Sequence, residues 1–178
     1  MLRPTLANGL SLLRVLLAVP TYWCVAEGYW LAASLLLAAA IASDMADGPI
    51  ARRRHQDSAA GGLLDHSCDA VFVATVLFAL AMATRLPMLL PVLVLASFAQ
   101  YVLDSKALSG QQLRTNKLGR ANGIAYFVLP TAYLFSQAAA ADRVPQDWFL
   151  AAAWLLIGST LLSMLDRLWT LFRLRAAP

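Results

Sequence analysis

Polar and apolar positions along this chain are segregated into long blocks rather than interleaved. Six apolar runs stand out, roughly Leu10–Ala26, Tyr29–Ala46, Leu64–Ala83, Pro87–Leu103, Ala121–Ala141 and Trp148–Leu165. Each is at or near the length of about 20 residues that a helix needs to cross a bilayer core. None alternates with the period of two of a barrel strand, and an α-helix is the open-ended element that satisfies its own backbone in lipid. The pattern predicts an all-α integral membrane protein with six transmembrane helices. The polar connections around Glu27-Gly28, Arg85 and Asp142–Asp147 are short, whereas Asp104–Arg120 is longer. Trp23, Trp30, Trp148 and Trp154 fall near proposed helix ends, where interfacial anchors collect. Pro49 sits where helix 2 meets its polar loop, and a kink or a helix end is expected there.

Composition strengthens this reading. The 178 residues are 60% hydrophobic and 13% charged, with a mean hydropathy of +0.64. Soluble domains run at roughly 45–50% apolar residues. The length suits one domain, residues 1–178, and no repeat or low-complexity linker divides it. The net charge of +4 is a topology signal in such a chain, not a nucleic-acid footprint. With the N-terminus inside, only Arg85 and Arg143 of the fourteen Lys and Arg residues fall outside. Both termini are then cytoplasmic. Cys24 and Cys68 lack CxxC spacing and read as small buried residues. The N-terminal run lacks a small-residue cleavage site and reads as the first retained helix, not a signal peptide.

The unusual chemistry lies in one stretch, SDMADGPIARRRHQDSAAGGLLDHSCDA, residues 43–70. Asp44 and Asp47 are three apart, and Asp65 and Asp69 four apart, so each pair shares a helix face. The first pair closes helix 2 and the second opens helix 3, which places all four at one depth just inside the cytoplasmic boundary. Four clustered carboxylates need positive charge to hold them. A divalent cation with hard oxygen ligands supplies it economically. Ion pairs to Arg52–Arg54 and a proton relay are the alternatives. Gly48 and Gly61 leave room for a bulky ligand, Ala51 keeps the same face narrow, and Arg52 offers a donor fork suited to phosphate.

These residues resemble the CDP-alcohol phosphotransferase family, whose pattern is D-x2-D-G-x2-A-R-x8-G-x3-D-x3-D. Asp44, Asp47, Gly48, Ala51, Arg52, Gly61, Asp65 and Asp69 match every fixed position and spacing. Outside the motif, NGLSLLRVLLAVP looks like the first helix of bacterial phosphatidylglycerophosphate and cardiolipin synthases. NKLGRANG looks like their segment before helix 5, with Arg120 where Lys is usual. The resemblance implies a dimeric six-helix enzyme of the bacterial inner membrane, with its active site between helices 2 and 3 on the cytoplasmic side. It implies a metal-dependent transfer of a phosphatidyl group from a CDP-activated lipid such as CDP-diacylglycerol to an alcohol, releasing CMP. Asp44, Asp47, Asp65 and Asp69 would ligate two Mg²⁺ or Mn²⁺ ions, and Asp69 would also be the general base. Asp44, Asp47, Gly48, Ala51, Arg52, Gly61 and Asp65 would form the CDP site.

The acceptor is less sharply written. Arg114, Lys117 and Arg120 flank the second cytoplasmic loop and suit an anionic head group, which makes glycerol 3-phosphate the first choice. Phosphatidylglycerophosphate and inositol-phosphate synthases tend to carry Lys or Arg after the last motif aspartate, where this chain has Ala70. LLDHSCDA also looks like the matching segment of choline and ethanolamine phosphotransferases. Phosphatidylglycerol, inositol phosphate, serine, or diacylglycerol with CDP-choline or CDP-ethanolamine as donor are the alternatives within the family. A small transporter and a noncatalytic scaffold are the alternatives outside it. His66 is next to Asp65 but on a neighbouring face, where packing is its expected role. Asn8 and Arg14 either line the site or serve as cap and snorkelling residue.

Overall fold

The computed structural model describes residues 6–53, 59–104, 117–139 and 144–176, with side chains described for 9–45, 61–103, 117–139 and 144–170. The described residues form six helices and no strand: α1 (Leu6–Ala26), α2 (Trp30–Arg53), α3 (Ala59–Ala83), α4 (Leu89–Asp104), α5 (Lys117–Ala138) and α6 (Gln146–Ala176). They match the six apolar blocks, but several extend beyond them. α1 starts four residues before its apolar run and α3 five residues before its own. α2 runs through position 49 to Arg53 instead of ending at the proline. Polar residues lower the hydropathy of these ends without breaking the helical backbone, so apolar length underestimates helix length.

Three of the described stretches, Gly9–Ala26, Gly61–Ala83 and Gln146–Thr170, are long and apolar enough to cross a membrane. Trp30–Met45 and Leu89–Leu103 are shorter apolar helices. α5 falls in neither class, since Lys117, Arg120, Asn122 and Gln137 dilute it.

The helices pack as a closed cycle. α1 touches α2 and α3, α3 touches α4, α4 touches α6, α6 touches α5, and α5 returns to α2. A weaker contact joins α3 to α5 across the middle. Leu37, Phe72, Leu77, Leu80, Leu90 and Leu134 fill the interior and are essentially fully buried. In lipid, which is as apolar as these side chains, the interior is held by close packing rather than by exclusion of water. The outward faces carry Leu16, Leu31, Leu35, Leu155 and Leu162, all exposed, as expected of a surface facing lipid tails. Trp23, Trp148 and Trp154 are exposed as anchors would be, but Trp30 turns inward and meets Tyr133 edge to face.

The turn between α1 and α2 shows local sequence setting local structure. Gly28 adopts φ +74°, a left-handed conformation that favours a residue without Cβ. Its N–H donates to Val25 O at 3.2 Å and the Tyr29 N–H donates to Cys24 O at 2.7 Å. This pair of bonds is a Schellman motif, which closes α1 and reverses the chain tightly.

Candidate active site

Asp44 lies in the C-terminal half of α2, and Asp65 and Asp69 lie in the N-terminal half of α3 one helical turn apart. Helix spacing alone puts Asp65 and Asp69 on one face. The bundle then brings Asp44 to them: each of the three offers one carboxylate oxygen, and these oxygens lie within 4.8 Å of one another. Two oxygens on one Mg²⁺, Mn²⁺ or Ca²⁺ ion can be about 4–5 Å apart at ordinary metal–oxygen distances. The donor set is hard oxygen throughout, so the three aspartates fit a divalent cation.

Arg14 stands against this cluster and is 0% exposed. Its Nη1 donates to Asp44 Oδ1 at 2.6 Å and also to Asp69 Oδ1, while its Nη2 donates to Asp65 Oδ1. Ser11, one turn earlier on α1, donates to the same Asp65 oxygen at 3.0 Å and accepts from Arg14 Nη2 at 3.3 Å. An isolated guanidinium buried like this is strongly unfavourable; three carboxylates around it compensate. The carboxylates themselves retain 42% (Asp44), 25% (Asp65) and 22% (Asp69) of their side-chain surface. Arg14 thus backs the cluster from the protein interior, and the aspartates are reached from the other side.

That other side opens into a cavity of about 950 Å³ lined by residues of α2 to α6. Asp44 and Asp69 lie on its wall together with Arg120, Asn122 and Arg167. Deeper, Val73, Val94, Phe127 and Val128 make the wall apolar. His66 is about half exposed; its Nδ1 is 3.8 Å from Asp65 Oδ2 and its ring stacks on Tyr101. The Arg167 guanidinium lies over the other partner of that stack, 4.9 Å from the Tyr101 ring centroid, within cation–π range.

The far wall is organised by neutral hydrogen bonds. Ser159 donates to Asn122 Oδ1 at 2.6 Å, the Tyr126 and Thr160 hydroxyls are 2.7 Å apart, and Gln100 Nε2 donates to Met164 O at 2.9 Å. Asn122 Nδ2, Gln100 Oε1 and Arg167 Nη1 are buried with no hydrogen-bond partner among the described residues, and all three residues line the cavity. Such groups carry a desolvation cost of about 1–3 kcal/mol each unless something polar meets them.

Of the residues singled out by sequence, Asp44, Asp65 and Asp69 come together, and Arg120 shares their cavity. Lys117 is exposed on the first turn of α5 and does not line that cavity. Gly61 sits in the first turn of α3, partly buried. Asp47, Gly48, Ala51 and Arg52 belong to the helical backbone of α2, but their side chains lie outside the described ones, as does that of Asn8. Arg114 lies outside the described residues altogether. Arg14 settles on lining the site rather than snorkelling. Ser11, Gln100, Tyr101, Asn122 and Arg167 were not singled out by sequence. Ser11 carried one usable signal, its i, i+3 spacing to Arg14; a lone Gln, Asn or Tyr in an apolar run carries none.

No curated protein sequence gives a significant match to the chain. The family model for CDP-alcohol phosphatidyltransferase matches residues 4–165, a span that contains α1 to α5, most of α6 and the whole carboxylate cluster, and the chain belongs to that family.

Proposed function

We propose that this protein transfers the phosphatidyl group of CDP-diacylglycerol to glycerol 3-phosphate on the cytoplasmic face of a bacterial inner membrane, releasing CMP. The family supplies the coarser statement: transfer from a CDP-alcohol to an alcohol acceptor, in phospholipid synthesis, by an integral membrane transferase. The observation that carries the finer reading is the shared cavity. Carboxylates stand at one side of it and Arg120 and Arg167 at another, with an apolar wall beyond. A phosphorylated acceptor meets the arginines, and lipid tails meet the apolar wall.

In this reading the acceptor hydroxyl attacks the β-phosphorus of the donor. A new phosphorus–oxygen bond forms, the bond to the bridging oxygen breaks, and CMP leaves with that oxygen. Asp69 takes the hydroxyl proton. Asp44, Asp47, Asp65 and Asp69 hold the divalent metal on which the family typically depends. When bound, it neutralises diphosphate charge and lowers the barrier to displacement. Gly48, Ala51, Arg52 and Gly61 complete the CDP site. Two Mg²⁺ or Mn²⁺ ions, a homodimer and six true spans with both termini inside belong to the same proposal.

The test is an acceptor panel with purified protein, CDP-diacylglycerol and Mg²⁺, with products identified by mass. Phosphatidylglycerophosphate is expected. A product only with a neutral or zwitterionic alcohol overturns the acceptor assignment and leaves the family reaction standing. For topology, His55→Cys and Gly110→Cys, in a chain without its native cysteines, should label only in permeabilised cells. Labelling from outside in intact cells reverses the orientation.

A further inference from the structure

We infer that Arg14 is a positioning residue for the metal site, one that fixes how each aspartate presents its carboxylate to the cation. The inference rests on the metal reading above and goes beyond it.

The argument starts from which atoms Arg14 takes. Its two terminal nitrogens hold one oxygen each, Oδ1, of Asp44, Asp65 and Asp69. Ser11 adds a second donor to Asp65 Oδ1. An oxygen already held by a charged donor is a poorer metal ligand, so at most one good ligand oxygen remains per carboxylate. Each aspartate is thereby set to bind in monodentate fashion. Arg14 is fully buried while the three carboxylates keep part of their surface exposed, so it holds them from the interior side.

Monodentate presentation selects among cations. Mg²⁺ demands six ligands at short distances and near-octahedral angles, and Mn²⁺ accepts the same oxygen set. Ca²⁺ takes six to eight oxygens at longer distances and gains from bidentate carboxylates. A guanidinium fork that blocks the bidentate mode at three positions favours the smaller ions. Lysine carries the same charge but is a single point with no planar fork, and it cannot hold three oxygens in fixed directions.

Two roles for Arg14 predict opposite signs. If Arg14 were only a competing cation, Arg14→Lys would leave divalent binding unchanged or tighter. As a positioning residue, its loss weakens the site, since partners that orient metal ligands are typically worth about 10–100-fold in metal affinity. The experiment uses the full-length protein in detergent without nucleotide. Mn²⁺ binding is read by electron paramagnetic resonance, and Mg²⁺ and Ca²⁺ by displacement of Mn²⁺. Wild type should bind Mn²⁺ at least about tenfold more tightly than Ca²⁺. Arg14→Lys should lose about 10–100-fold in Mn²⁺ affinity, and its preference over Ca²⁺ should shrink. Ser11→Ala, a milder change that removes one donor from Asp65 Oδ1, should move both quantities the same way by up to about tenfold, and it stands in if Arg14→Lys does not fold. Unchanged or tighter Mn²⁺ binding in Arg14→Lys overturns the inference, as does a lower melting temperature with the ion preference intact. Absence of any divalent binding in wild type takes down the metal reading itself.

Discussion

The two walls of the cavity are built from different physics. On the α1–α2–α3 side, a buried Arg14 ties three carboxylates into one charged cluster. On the α4–α5–α6 side, hydroxyls and amides join helices through neutral bonds, Tyr126 to Thr160 and Ser159 to Asn122. The charged wall is arranged around Arg14, whose terminal nitrogens each donate to carboxylate oxygens. The neutral wall leaves Asn122 Nδ2, Gln100 Oε1 and Arg167 Nη1 without hydrogen-bond partners among the described residues. A wall whose carboxylates are all tied to one buried cation suits fixed chemistry, in which ligands must not move. A wall with polar atoms still to be satisfied suits recognition of a small polar molecule that comes and goes.

Substitutions on the two walls should therefore fail in different ways. The largest effect is expected at Asp69. Asp69→Asn keeps the shape but cannot take a proton, and loss of a general base costs about 10²–10⁴ in rate, more when the group also ligates metal. Nucleotide binding in the presence of metal should fall only modestly in this variant. Asp44→Asn and Asp47→Asn should instead lower metal and nucleotide binding together. Near-wild-type turnover by Asp69→Asn removes the base assignment while leaving the cluster in place.

Next comes Arg14→Met, measured as stability rather than rate. Removing the central cation of this group leaves three partly exposed carboxylates to repel one another, a loss expected to fall below the ~3–5 kcal/mol of a fully buried pair. The change should appear as a large drop in unfolding temperature in detergent without added metal, partly restored by Mg²⁺ or Mn²⁺. A variant as stable as wild type would mean that the charged wall does not need its central cation.

On the neutral wall the effects are smaller and fall on substrate affinity. Arg120→Ala should raise the KM for glycerol 3-phosphate about 10–100-fold, as loss of a hydrogen bond to a charged group is worth roughly 1.5–3 kcal/mol. The KM for CDP-diacylglycerol should move much less. An equal rise in both would deny the division of the cavity into donor and acceptor walls. Smallest of all is Tyr126→Phe, which deletes the hydroxyl paired with Thr160. Interhelical hydrogen bonds in membranes average about 0.6 kcal/mol, so its unfolding temperature should shift by only a few degrees.

Much of the charged wall was legible in the sequence because it is local. Helical spacing aligns Asp65 with Asp69, and a short segment separates them from Asp44, but α1 packs against both α2 and α3, and its Arg14 joins Asp44 to the other two. Arg14 was half legible: an arginine inside an apolar helix either snorkels or serves a site, and only the packing of α1 against α3 decides between them. The neutral wall was illegible for the converse reason. Ser97, Gln100, Asn122, Tyr126, Thr160 and Arg167 meet across three helices far apart in sequence, with no spacing rule to link them. The helix extents were underestimated where polar residues prolong a helix, above all at Pro49, which α2 passes through.

Release of CMP from CDP-diacylglycerol by the purified, folded protein tests the central claim most directly. The account predicts release that requires both a divalent cation and an alcohol acceptor, stops on chelation, and resumes when Mg²⁺ or Mn²⁺ is restored. No CMP from any CDP-linked lipid across a broad acceptor panel, or release at full rate in excess chelator, would contradict it.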